Sequence, residues 1–374
     1  MTPISNKKKY NWPDMFFVTT FFILVFWGLV ILGSASSNFS NLKFGDSFYM
    51  LKKQIMYGFL IGLLGFFIAL KIPYKSYKNI APLLLAGSII ILSLVFTPLG
   101  VTIKGSARWV SLKLFSFQPS EVAKFLSIIY FAYWFSKKNI REANLRDALP
   151  FFVILGIILT LLFFEPATSV AIVIFLSSCA IYFFAGAKMR HMGILSVCIL
   201  AVVAGIIYAT PYRLSRIQGF FNSAEFSKTS GFHIGQAMIA IGSGRLTGVG
   251  FGQSTTKLRF LPEPYGDSIF AVLSEEFGFF GSIFTILLFG LLILRIFILA
   301  KKIPDKFGSY LLIGFGSMIG IQAFINIAAI SGLIPLTGMP LPFISYGGTA
   351  LAVFMTISGI IANVSKYAQI SYND

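Results

Sequence analysis

The feature that most constrains this chain is a succession of apolar runs, each about 20 residues long, separated by short polar segments. They fall near 15–35, 54–72, 80–100, 119–136, 149–165, 167–186, 193–210, 268–297, 309–335 and 349–365. Hydrocarbon roughly 30 Å thick is crossed by a helix of about 20 mainly apolar residues, so each run predicts one crossing. With 56% hydrophobic and 11% charged residues over 374 positions, the chain cannot clothe a water-soluble fold. The expected architecture is all-α: a polytopic membrane protein of about ten transmembrane helices. It forms one domain over 1–374, with a large outer loop at 211–267 before the eighth span.

Basic residues set the orientation. Short segments carrying Lys7, Lys8 and Lys9, then Lys71, Lys75 and Lys78, then Lys137, Lys138, Arg141 and Arg146 alternate with longer loops. The same parity continues through Lys188 and Arg190, through Arg295, Lys301, Lys302 and Lys306, and ends at Lys366. By the positive-inside rule these segments and both termini lie in the cytoplasm, and the loops at 36–53, 101–118 and 211–267 lie outside. The net charge of +17 fits contact with anionic lipid on the inner side and no nucleic-acid partner.

Several other features carry less. The first run with Gly33-Ser34-Ala35-Ser36 looks like a secretory signal, but it is too long and its removal breaks the loop parity. Cys179 and Cys198 sit inside apolar runs as small hydrophobes, and His191 and His233 are too few for a metal site. No internal repeat is evident. The glycine-rich stretch from Gly242 to Gly252 lacks the Gly-Lys-Ser/Thr ending of a nucleotide loop, so it predicts a tight, re-entrant or membrane-hugging turn.

Acidic residues are the informative set, because only thirteen occur and a charge at a helix centre costs about 2.5–3.5 kcal/mol. Glu121 and Lys124 are one turn apart on a helix and can neutralise each other. Glu165 stands at the outer end of the fifth span, where a water-exposed carboxylate is cheap. Glu275 and Glu276 lie inside the eighth span and cannot share one face, so at least one anchors a buried hydrogen-bond network. Asp267 stands where the outer loop becomes the eighth helix. It suits an N-cap, and equally a base acting on a lipid-linked anionic substrate.

Four ordered motifs then decide between classes. Gly105-Ser106-Ala107-Arg108-Trp109 is followed by Phe117-Gln118-Pro119-Ser120-Glu121-Val122-Ala123-Lys124. Gln236 through Gly252 leads to Gln253-Ser254 and Lys257, and Phe260-Leu261-Pro262-Glu263-Pro264 leads to Asp267 and Glu275-Glu276-Phe277-Gly278. Asn326 precedes Gly332-Leu333-Ile334-Pro335-Leu336-Thr337-Gly338-Met339-Pro340-Leu341-Pro342-Phe343-Ile344-Ser345-Tyr346-Gly347-Gly348. Together with the span layout these resemble the RodA, FtsW and SpoVE proteins, the SEDS family. The chain departs from the family's pattern at Tyr265, Gly266 and Ser268, where His, Thr and Phe are usual, and at Ala167, where a carboxylate is lost.

The resemblance implies a peptidoglycan glycosyltransferase that polymerises lipid II on the outer face of the cytoplasmic membrane. The family's essential aspartate falls on Asp267 as candidate general base, and its Arg, Glu and Lys fall on Arg108, Glu121 and Lys124 as substrate-binding candidates. Lys257, Glu263 and Ser345 complete that set. Arg108, Lys124, Lys257 or a divalent cation (Mg or Mn), of unassigned ligands, could stabilise the departing pyrophosphate. The resemblance further implies a class B penicillin-binding transpeptidase and other division or elongation proteins as partners. The ending Gly33-Ser34-Ala35-Ser36-Ser37 leans to the FtsW division branch. A lipid II flippase is the alternative, since polar residues in a bundle can line a headgroup path, and a non-catalytic division scaffold is a third reading.

Overall fold

Main-chain N–H and C=O groups find no water in hydrocarbon, so a segment there must close its own hydrogen bonds, and helices result. A computed structural model of the chain describes residues 12–103, 106–111, 116–137, 145–187 and 230–368, with positions 193 and 220. Its helices are α1 (Met15–Phe44), α2 (Tyr49–Lys71), α3 (Tyr74–Ser93), α4 (Pro119–Lys137), α5 (Leu145–Phe164) and α6 (Thr168–Phe184). They continue with α7 (Ser230–Ser243), α8 (Ile269–Lys302), α9 (Lys306–Ile330) and α10 (Gly348–Ser365). Each expected span coincides with a helix except 193–210, which after position 193 lies outside the described residues together with Cys198, His191 and the basic residues Lys188 and Arg190. The helix α7 belongs instead to the segment before α8.

Two outer segments differ from the expected loops. The first helix does not stop near 35 but runs to Phe44, because its polar extension is buried at Ser34, Ser36 and Ser40. Gly45, at φ 71°, then takes the left-handed turn that ends it, and its N–H bonds the Asn41 carbonyl at 2.9 Å. Within 101–118 the chain forms a small antiparallel sheet of β1 (Gly100–Ile103), β2 (Ser106–Ser111) and β3 (Ser116–Phe117), in that order. Val101 pairs with Trp109 and Thr102 with Ala107, so Arg108 is the extra residue of a bulge. Bulges re-aim side chains, and this one carries a site candidate.

The glycine-rich stretch is laid against a break in α8. Gly278 has φ 64° and ψ −158°, so the helix is interrupted there. The freed groups are taken up across the gap: Val249 N donates to Glu275 O at 2.9 Å and Gly250 N to Glu276 O at 3.1 Å. In return Phe279 N donates to Arg245 O at 2.9 Å and Phe280 N to Leu246 O at 3.2 Å. The two backbones approach so closely that a Cβ on Gly248, at φ 83°, would meet the Glu276 oxygen at 2.1 Å.

α9 is the central helix, packed on α8, α6 and α4, while α10 lies along α2. At the end where Met15 begins α1, Arg295 of α8 grips Asp14 through Nε (2.9 Å) and Nη2 (2.5 Å), and Asp14 also caps α1 through the Phe17 amide. Asp305 caps α9 through the Gly308 amide at 2.9 Å and accepts the Tyr74 hydroxyl.

Gly248→Ala should cost at least about 1–2 kcal/mol from the left-handed backbone alone, and more from the clash. Gly290→Ala, on an open face of α8 with nothing within 4 Å, should leave stability unchanged or slightly raised. Thermal unfolding of the detergent-solubilised variants, read by loss of the monodisperse chromatographic peak, checks the contrast.

Candidate functional site

The segment before α8 is folded by its own main chain. Gly266 N and Ser268 N both donate to the Glu263 carbonyl, at 2.9 and 3.3 Å, with Glu263 itself at φ 47°. The N-cap of α8 is Ser268, whose hydroxyl turns back to donate to Pro262 O (2.8 Å) and meets His233 Nε2 at 2.6 Å. Asp267 is therefore not the cap of this helix, and the capping expectation is corrected.

Three consecutive carbonyls of this segment are each held by a different donor. Tyr346 N bonds Tyr265 O at 2.9 Å, Ser345 Oγ bonds Gly266 O at 2.7 Å, and Asn326 Nδ2 bonds Asp267 O at 2.8 Å. The donors are themselves fixed. Ser345 Oγ accepts from Leu341 N at 2.8 Å, and Gln54 of α2 bonds Ser345 O (3.4 Å) and Gly347 N (3.0 Å). Asp267, Asn326, Leu336, Thr337, Gly338 and Met339 line a narrow cleft over this arrangement, too tight in this conformation to hold a water molecule. Burial first, then the neighbouring Tyr346 hydroxyl and the Asp267 carboxylate, hold the Tyr265 phenol above its usual range.

A second group of charges adjoins the same loop from the other side. Lys124, with no exposed surface, donates to Glu121 Oε2 at 2.9 Å and to Gln322 Oε1 at 2.6 Å, and its ammonium lies 4.8 Å from the Phe354 ring centroid. Gln322 Nε2 passes the chain on to the Pro340 carbonyl at 3.0 Å. Arg108, aimed by the bulge, donates through Nη2 to Pro166 O at 2.5 Å, and Ser169 Oγ donates to Thr337 O at 2.6 Å. Glu165 is not the water-exposed carboxylate expected. It is 1% exposed, with Arg108 and Glu121 as its charged neighbours, because β2 and α4 cover this helix end.

Lys257 belongs to a third network, beneath the glycine-rich stretch. Its ammonium reaches Glu276 Oε1 at 2.6 Å, Ser34 Oγ at 2.8 Å and Gly252 O at 2.9 Å. Ser34 in turn donates to Glu276 at 2.6 Å. The neighbouring Glu275 faces the other way and accepts from Ser254 Oγ at 2.5 Å, Thr255 N at 3.0 Å and the Thr256 hydroxyl. Both glutamates are thus anchors. The structure bonds Ser345 to the residue before Asp267, ties Glu121 and Lys124 to the 334–347 loop through Gln322, holds Arg108 on Pro166, and keeps Lys257 in a separate pair. Among the described residues no three His, Cys, Asp or Glu side chains group closely enough to hold a metal.

A family model for the FtsW, RodA and SpoVE proteins, described as "Cell cycle protein", matches residues 14–370. The chain belongs to this family. The stage V sporulation protein E of Bacillus subtilis (strain 168) is 36% identical over 365 residues, covering 96% of this chain and 99% of its own. A probable peptidoglycan glycosyltransferase FtsW of Thioalkalivibrio sulfidiphilus (strain HL-EbGR7) is 37% identical over 345 residues, covering 91% and 86%. The solved rod shape determining protein RodA of Thermus thermophilus superposes with a TM-score of 0.71 at 26% identity, covering 97% of this chain and 98% of that one. A chain of a peptidoglycan synthase complex gives 0.79 at 24% identity, covering 97% and 99%, a likeness of fold.

The family fold makes this a multi-pass membrane protein. Sequence reasoning missed Gln54, Gln322 and the placement of Asn326, although buried amides inside apolar runs are the signal that marks them. It did not foresee that Lys257 pairs with Glu276, because spacing along the chain cannot show a partner nineteen positions away across a loop.

The buried Lys257–Glu276 pair predicts a non-additive double-mutant cycle. Glu276→Met alone should cost about 3–5 kcal/mol by leaving the ammonium uncompensated, and Lys257→Met should cost similarly. The double variant Lys257→Met/Glu276→Met should be less damaged than either, measured by thermal unfolding in detergent.

Proposed function

We propose that this chain is a peptidoglycan glycosyltransferase that polymerises lipid II into β-1,4 glycan on the outer face of the cytoplasmic membrane, with Asp267 as general base. One observation carries the reading: Asp267 lines a cleft at the head of α8 while its main chain is clamped at three successive carbonyls. A base must be held in place against the proton it removes, and a mere capping residue needs no such clamp. The names of the relatives support the same activity.

The reaction then runs with few parts. Asp267 takes the proton of the acceptor GlcNAc 4-hydroxyl as that oxygen bonds the anomeric carbon of MurNAc from the face opposite the leaving group. The bond from that carbon to the undecaprenyl pyrophosphate breaks, and the pyrophosphate departs with the electron pair, giving inversion. Arg108 and Lys124 are the positive charges proposed to stabilise it, with Glu121 and Gln322 orienting Lys124. Lys257 and Glu263 act from further off, the first through the glycine-rich stretch it pins and the second through the turn it builds. A divalent cation on the pyrophosphate is an addition consistent with this charge pattern.

The proposed orientation puts both termini and the α8–α9 turn inside, and the sheet, α7 and the cleft outside. In a background with Cys179 and Cys198 replaced by Ser, an impermeant thiol reagent applied to intact spheroplasts should label Lys43→Cys and not Lys301→Cys. Labelling at 301 from outside would reverse the assignment.

A class B penicillin-binding transpeptidase is the proposed partner, since the family fold recurs in a peptidoglycan synthase complex. Of the two branches the division role is favoured, and depletion should give filaments and not rounded cells.

Replacing Asp267 by Asn keeps size and removes basicity. Purified with its transpeptidase and given lipid II, the variant should make glycan about 10²- to 10⁴-fold more slowly while folding and binding its partner normally. Near-normal synthesis would reduce Asp267 to a structural role. Wild-type protein that moves lipid II across sealed vesicles and makes no glycan would establish the flippase instead.

A further inference from the structure

Asn326 has one atom left over. Its side chain is 1% exposed, and Nδ2 donates to two carbonyls, Asp267 O at 2.8 Å and Met339 O at 2.6 Å. Both neighbours are pure acceptors, which fixes the amide orientation: only the nitrogen can face them. The oxygen, Oδ1, is consequently turned away from both, and it is buried without a hydrogen-bond partner among the described residues. The Thr337 hydroxyl is in the same condition, its Oγ1 buried and unpartnered. Both residues line the cleft that Asp267 lines.

Orphaned acceptors at one cleft are costly, about 1–3 kcal/mol each, unless a ligand or water completes them. The cleft as it stands is too tight for water, so these groups are completed only by a ligand that widens it, and two acceptors on the lining that Asp267 shares match a sugar edge, which presents hydroxyl and acetamido N–H donors in a row. We propose that Asn326 and Thr337 form a sugar-binding subsite: Asn326 Oδ1 and Thr337 Oγ1 accept from the hydroxyl or acetamido donors of the incoming saccharide. Asn326 then has two duties. Its nitrogen positions the Asp267 main chain, and its oxygen receives the substrate that Asp267 acts on. This deepens the polymerase reading and rests on it for the identity of the saccharide.

The subsite is tested by binding, which is independent of whether Asp267 is the base. Affinities of full-length protein for lipid II and for undecaprenyl pyrophosphate, which shares the lipid and phosphates but has no sugar, are compared across Thr337→Val, Asn326→Leu and Asn326→Asp. Thr337→Val should weaken lipid II binding about threefold to tenfold, the worth of a neutral hydrogen bond, and leave undecaprenyl pyrophosphate binding and thermal stability unchanged. Asn326→Leu should weaken lipid II binding similarly and lower turnover as well. Asn326→Asp keeps the acceptor oxygen but sets its second carboxylate oxygen against two carbonyls, so turnover at saturation should fall more than lipid II affinity does.

Wild-type lipid II affinity in both Thr337→Val and Asn326→Leu would overturn the subsite, as would equal weakening of both ligands, which marks a structural role only. Glycan synthesis by Asp267→Asn would sink the base assignment and leave the subsite standing, so the two failures are distinguishable.

Discussion

A main-chain carbonyl buried away from water must find a donor, and in this protein that requirement is concentrated on the segment joining α9 to α10. The loop from Ile334 to Gly347 does not skirt the surface: Leu341, Phe343, Ile344 and Ser345 are buried, and Phe343 presses so tightly on α1 that Gly28 has no room for a Cβ. Such a path is tolerable only because side-chain amides and hydroxyls reach into it. Gln322, Asn326 and Gln54 serve its carbonyls and amides, and Ser345 and Tyr346 extend the same bonding to the head of α8. The placement of the Asp267 main chain is therefore a property of a folded-in loop, more than of the helix that follows it.

Much of this was legible in advance, for physical reasons. Long apolar runs have one stable outcome in lipid, so the helices and their order were readable, and Glu121 with Lys124 announced an ion pair by spacing alone. The extension of α1 and the sheet around Arg108 were not readable. Their stability comes from contacts made in the outer layer, where serines on a helix face or a bulged strand bury against elements distant in sequence. Asp267 stood between a cap and a base because one residue of register at a helix start is beyond what a pattern can fix. The folded chain puts the N-cap position at Ser268, one residue further on.

The buried charges divide by what surrounds them. Lys257 and Glu276 neutralise each other beneath the glycine-rich stretch, and their partners are all within the protein. Lys124 and Glu121 are paired too, but through Gln322 they touch the loop that carries the cleft, so a change there is transmitted to the residues around Asp267. Arg108 sits on a strand bulge whose placement depends on the sheet. A shift of that sheet alters where its guanidinium points without disturbing the bundle.

The helix α2 contains a wider turn, with π-type bonding from Gln54 to Leu60. Residues four apart on an ordinary helix drift steadily round its circumference, and the wider turn offsets that drift. Gln54, Gly58, Gly62, Phe66 and Ala69 consequently keep one buried line, so the same edge that nestles its glycines against α10 also delivers an amide to Ser345 and Gly347. A uniform helical wheel would carry Gln54 out of this alignment. The turn acts as a phase corrector: deleting one residue between 54 and 60 would restore regular pitch, swing the amide away from the loop, and uncouple α2 from the segment that clamps the head of α8.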